Sequence, residues 1–128
     1  MNNGTKIQSF TDLNAWRNGH ELVITIYKLT KNFPKEEQFG LTSQIRRAAV
    51  SITSNIAEGF SRSSYKEKSQ FYSMSLGSLT EVQNQLLIAK DLGYIDSKQS
   101  DGLAINTMII SKLLNGLIKK SKTLIHNS

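Results

Sequence analysis

The chain has 128 residues, enough for one domain whose core closes without a metal or a crosslink. It has no cysteine, which excludes a disulfide framework, a thiolate metal site and a cysteine nucleophile. Sixteen Lys and Arg against ten Asp and Glu give a net charge of +6, a balance that favours polyanionic partners.

That charge is unevenly placed: no acidic residue follows Asp101, whereas Lys112, Lys119, Lys120 and Lys122 do. The opening MNNGTKIQSF has no apolar run of signal-peptide length, and no later stretch is long enough to span a bilayer. The expectation is a soluble, cytoplasmic protein with no membrane partner. Residues 1–9 are expected to form a disordered segment and 10–128 a single domain.

The first helical pattern runs from about Asp12 to Asn32. Leu13, Trp16, His20, Val23 and Tyr27 recur at spacings of three and four, and Leu22, Ile26 and Leu29 widen the stripe. On this reading His20 is a core-edge residue. Phe33-Pro34 ends the helix, because the residue before proline is pushed out of helical geometry.

A short turn, KEEQFG, leads to a second helix from about Leu41 to Phe60. At 100° per residue, Leu41, Ile45, Ala48, Ile52, Ile56 and Gly59 share one face. Gly59 on that face implies close helix approach. Asn55 at its edge needs a partner, since a buried unsatisfied amide costs about 1–3 kcal/mol. A neighbouring helix or a helix end is the expected partner, with ligand contact the alternative. Val50, Thr53 and Ala57 point the other way, and a small, apolar outer face suggests contact with another subunit. Glu58 has Arg62 one turn on, the spacing of a helix ion pair.

The third helix starts after Ser64, where Ser64 and Glu67 have the spacing of a capping box. It runs to about Leu92 and stops at Gly93, a residue suited to the left-handed C-terminal position. Phe71, Leu79, Val82, Leu86 and Ala89 cover the core, while Leu76 and Leu87 spread round one flank and Ile88 round the other. Gly77 costs about 1 kcal/mol relative to alanine, which makes sense if something approaches it closely. With the Leu76 and Leu87 flank, this again points to self-association. Asp96, with Gln99 three residues on, starts the fourth helix, which continues to about Ile125. No segment shows sustained two-residue alternation. Four long helices joined by short connections give an all-α, antiparallel up-down-up-down four-helix bundle.

With the helices placed, DLNAWRNGHELVITIYKLTKNFPKEEQFGLTSQIRRAAVSITSNIAEGFSR resembles the bacterial four-helix-bundle family named for proteins encoded in intervening sequences of large-subunit ribosomal RNA genes. The SNIAEG signature after QIRRAAVSI is specific to it, and SLGSLTEVQNQLLIAKDLGYI continues the likeness, which covers about Phe10 to Ile125. The resemblance implies a homopentameric ring of bundles. It also implies kinship with the accessory protein of diversity-generating retroelements, which binds a reverse transcriptase and nucleic acid. The family pattern carries proline where this chain has Thr53, so helix two should run straighter here or be bent by packing alone.

Catalytic chemistry has little to stand on. A di-iron bundle needs inward Glu-x-x-His pairs, and none occurs; the only histidines are His20 and His126. No phosphate-binding glycine loop or nucleophile elbow is present. No metal, cofactor or enzymatic activity is expected. Basic residues offer more. Arg46 and Arg47 point to opposite flanks of helix two, one expected at a subunit contact and the other free for a ligand. Arg62, Lys66 and Lys68 cluster at the turn into helix three, and Lys119, Lys120 and Lys122 crowd the end of helix four. Antiparallel topology brings both clusters to one end of the bundle. The expected function is a non-enzymatic, oligomeric adaptor that presents this basic end to RNA or DNA, with a protein partner such as a polymerase as a further candidate. The alternative is a protein–protein scaffold without nucleic-acid contact.

Overall fold

In a computed structural model, which describes residues 6–127, the chain forms four antiparallel helices: α1 (Asn14–Thr30), α2 (Leu41–Ser61), α3 (Tyr65–Asp91) and α4 (Ser97–Asn127). Each packs on its neighbours in the cyclic order α1, α2, α3, α4, with α1 opposite α3 and α2 opposite α4. The up-down-up-down bundle expected from the apolar periods is the fold observed. Leu22 and Ile26 of α1, Ile45, Ile52 and Ile56 of α2, Leu79 and Val82 of α3, and Ile110 and Leu114 of α4 are almost fully excluded from solvent.

The ends are set by local chemistry. Ser64 accepts a hydrogen bond from the Glu67 amide at 3.1 Å and so caps α3. The Glu67 carboxylate does not reach back to the Ser64 amide as a full capping box would; it accepts from the Ser64 hydroxyl at 3.2 Å. The reciprocal box forms instead at α4, where Asp96 and Gln99 exchange amide bonds of 2.9 and 2.7 Å. Gly93 has φ +80°, the left-handed conformation that lets the chain leave α3 without a Cβ clash. After α1, Phe33 turns inward and Lys35–Glu37 form a 3-10 turn. Glu37 then serves two elements: one carboxylate oxygen accepts the Leu41 amide at 3.1 Å and starts α2, and the other accepts the Tyr94 hydroxyl at 2.8 Å.

One expectation, the face of α1, needs correction. Residues 1–5 of the N-terminal segment lie outside the described residues, and Ser9 is among those described. It caps a 3-10 turn, Phe10–Asp12, whose Asp12 carboxylate accepts the amides of Gln8 and Ser9. In α1 the buried face is Ala15, Gly19, Leu22, Ile26 and Thr30; Leu22 and Ile26 were expected there, but the face is centred about one residue, or 100°, round from the Leu13–Trp16–His20–Val23–Tyr27 line, whose Leu13, Trp16 and Val23 pack at the core's edge. The cause is Gly19, whose missing side chain lets α1 settle on α2: a Cβ there would stand 3.0 Å from Thr53 Cγ2 and 3.5 Å from Ile52 Cγ2. His20 is consequently exposed and stacks on Trp16 at 4.7 Å. The side chain of His126 lies outside the described residues.

Candidate functional site: a basic end and its braces

The eight cations singled out from sequence separate into two groups by what they touch. Three brace the fold. Arg46 Nε donates to Thr30 Oγ1 at 2.8 Å and Nη2 to the Tyr27 carbonyl at 3.3 Å, with the guanidinium 4.6 Å over the Tyr27 ring. It therefore satisfies the last turn of α1, whose carbonyls have no helical partner. Lys68 does the same for α2, donating to the Phe60 carbonyl at 2.6 Å and to Gly59 at 3.4 Å. Partial burial there lowers the Lys68 pKa. Arg62 is held by Glu58 at 2.8 Å and Glu67 at 3.6 Å and lies 4.6 Å over the Phe71 ring. The Glu58–Arg62 pair is the one read from sequence. These three are not the free cations that the expected nucleic-acid surface required, because helix ends and carboxylates in the same chain already claim them.

The other five, Arg47, Lys66, Lys119, Lys120 and Lys122, are exposed. None makes a hydrogen bond or ion pair among the described residues. Arg47 stands apart, since it lies 14 residues before the end of α2, or about 21 Å along the axis. It opens instead onto a polar cleft of the α2–α3 seam with Gln44, Ser51 and Glu81. Of the twin arginines, then, Arg46 is structural and Arg47 is free. Lys66 starts α3 and Lys119, Lys120 and Lys122 approach the end of α4, so the antiparallel topology puts these four at one end of the molecule. Sequence reasoning missed Lys6, which is exposed at that same end. Neighbouring Ile7 lies against Leu113 and Leu117 of α4. The signal was hidden because residues 1–9 were assigned to a disordered segment.

The polar residues of the signature are also structural. Asn55 donates to the Ser51 carbonyl at 2.9 Å and to Ser51 Oγ at 3.0 Å, and Ser51 Oγ shares a 2.8 Å bond with Ser78 of α3. Its partner is thus its own helix, one turn back, with the link to α3 made by the serine pair and not by the amide. Gly59 is buried, and a Cβ there would meet Tyr72 Cε1 at 2.8 Å and Phe71 Cβ at 3.0 Å, the close approach expected.

The proposed subunit surface is only partly free. Thr53 faces Gly19 of α1 and Leu76 packs against the core, so both serve the bundle itself. In a square arrangement α2 must face two neighbours, and its contact sector is wider than one apolar stripe. Ala57 is half-buried, while Val50 is 38% and Leu87 59% exposed. Gly77 has nothing within 4 Å of its Cβ position, so none of the described residues packs on it. An apolar surface that sequence reasoning missed lies on the outer face of α4, where Ile105, Met108 and Ile109 are 59, 55 and 43% exposed. Their spacing of three and four was the available signal. Leu87 and Met108 line a shared cleft of the α3–α4 seam, joining the two patches.

Among the described residues, no group of His, Cys, Asp and Glu could hold a metal ion, and no helix is long and apolar enough to cross a membrane. The fold and site define a small antiparallel four-helix bundle with a lysine-rich end and an apolar outer face. The pattern of the family described as 23S rRNA-intervening sequence protein matches residues 11–116, and the chain belongs to that family. It is similar to a crystal structure of a protein of unknown function from the S23 ribosomal protein family of Bacteroides thetaiotaomicron VPI-5482. The TM-score is 0.76 at 25% identity, covering 82% of this chain and 95% of that one. No curated protein matches the chain.

Proposed function

We propose that the protein is a non-enzymatic, cytoplasmic adaptor that binds RNA or DNA through its lysine-rich end. The observation that carries this reading is the set Lys66, Lys119, Lys120 and Lys122: four exposed ammonium groups at one end, unpaired among the described residues, the last three in a stretch where no acidic residue follows Asp101. Phosphate contacts of this kind supply affinity that falls steeply with salt. The name of the family, 23S rRNA-intervening sequence protein, agrees with a nucleic-acid setting. Self-association is part of the proposal. Ile105, Met108 and Leu87 offer a surface that a second copy would cover, and a homopentameric ring would repeat the basic end five times.

The test is the affinity for labelled structured RNA and duplex DNA across a salt series, for the native protein and for a variant with Lys66, Lys119, Lys120 and Lys122 all changed to Glu. Submicromolar binding at physiological salt, with a steep salt slope lost in the variant, is expected. Arg62 is left in place because it braces the α2–α3 turn. Binding that disappears by physiological salt would leave the second reading, a protein–protein scaffold, which the exposed apolar residues of α3 and α4 favour.

A further inference from the structure

Away from the basic end, α1 and α4 diverge and leave a groove of about 680 Å³. Thr25, Lys28, Leu29 and Asn32 form one wall, and Lys98, Gln99, Gly102, Leu103 and Asn106 the other. Leu29 and Leu103 make an apolar floor below a polar rim. Each wall spans about two helical turns, roughly 10.5 Å. We propose that this groove docks an acidic amphipathic helix of a partner protein.

Three observations choose that occupant. The charged residues of the lining are two lysines and no carboxylate, and the exposed Asp101 of α4 is not part of it. Lys28 suits the end of α1, but Lys98 stands in the first turn of α4, where the helix dipole disfavours a cation, so the fold does not account for it. Gly102 lies on the rim with nothing within 4 Å of its Cβ position. No contact in the chain requires a glycine there, whereas an incoming helix backbone would. The groove is open to solvent along its length, which suits a helix laid in it with anchors at i, i+3 or i+4 and i+7. A small ligand would need deeper enclosure. No side-chain hydrogen bond crosses from Thr25, Lys28 or Asn32 to Lys98, Gln99 or Asn106 among the described residues; Gln99 is held by the Asp96 capping box, and the other five are available to a partner.

This inference does not rest on the nucleic-acid reading, and its test is separate. Three labelled synthetic peptides of equal length would be titrated against the full chain by fluorescence anisotropy. One carries a leucine stripe flanked by glutamates, one has the glutamates replaced by lysines, and one is the acidic peptide scrambled. The acidic stripe should bind with micromolar affinity, weaken at least tenfold in Lys28→Glu/Lys98→Glu, and be lost in Gly102→Leu. The charge reversal at the basic end should leave it unchanged. Gly102→Ala should raise the melting temperature of the free protein while weakening the peptide, a pairing that a purely structural glycine cannot give. Equal binding of the three peptides, or affinity unchanged in both groove variants, would overturn the proposal. So would sedimentation in which Gly102→Leu breaks a self-assembly, since a second copy would then be the occupant.

Discussion

A Cβ added at Gly59 would stand 2.8 Å from the Tyr72 ring and 3.0 Å from Phe71 Cβ, both anchored on α3, while one added at Gly77 would meet nothing. The two glycines therefore answer to opposite constraints. Gly59→Ala should lower stability by about 1–3 kcal/mol, the usual range for overpacking a close contact. Gly77→Ala should raise it by about 1 kcal/mol through helix propensity. Urea denaturation of the two variants separates them, and a Gly77→Ala variant that loses stability would mean that the monomeric bundle is the wrong reference state. Asp12 makes a third residue-scale prediction. The amides of Gln8 and then Ser9, with Arg17 adding less, hold its carboxyl below the ordinary 3.8. A lowered acid contributes stability that is present above the ordinary value and lost as pH falls through the folded-state one. Asp12→Asn should flatten the acid limb of the melting temperature against pH.

The helices carry a second set of consequences, in which side chains of one element complete the end of another. Arg46 of α2 closes α1 and Lys68 of α3 closes α2. Arg46→Ala should cost about 1–2 kcal/mol, the loss of charge-assisted bonds and a cation–π contact. Arg47→Ala, one residue on and exposed, should stay near zero, a difference that chemical denaturation resolves. These braces explain what was legible in the sequence. Apolar period, Ser64, Gly93 and Asp96 act within a few residues of themselves, so helix number, order and most ends could be read. Whether a cation is free or already holds a carbonyl depends on a helix 19 residues away, as for Arg46 and the Tyr27 carbonyl, and no local pattern records it. The α1 face was misjudged for a similar reason: Gly19 draws the helix towards Thr53 and Ile52, a choice made by the partner helix. Tyr27 looked like core and instead lies exposed under Arg46, while Trp16 packs on the core's margin and stacks on His20.

At the scale of the molecule the two ends are chemically unlike. One carries unpaired lysines, while its carboxylates Asp12, Glu58 and Glu67 are engaged by the Gln8 and Ser9 amides and by Arg62; the other is tied by the Glu37–Tyr94 bond and the Phe33–Tyr94 ring contact at 5.3 Å. Apolar residues then lie outside the bundle on α3 and α4. If they are covered by further copies, the mass by light scattering will exceed one chain, and Ile105→Glu with Met108→Glu should return it to one chain without loss of helicity. A native mass of one chain would remove self-association from the proposal.

Trp16 is the only tryptophan of the chain. It is half-buried near the start of α1, at the lysine-rich end, with the His20 imidazole parallel to it at 4.7 Å and Phe10 edge-on at 5.6 Å. Indole emission responds to the rings packed against it, so the protein carries an optical reporter at the end where polyanion binding is proposed. Its emission should change in His20→Ala, which removes the stacked ring. Any ligand that disturbs this stack would then register in the light emitted by the unlabelled protein.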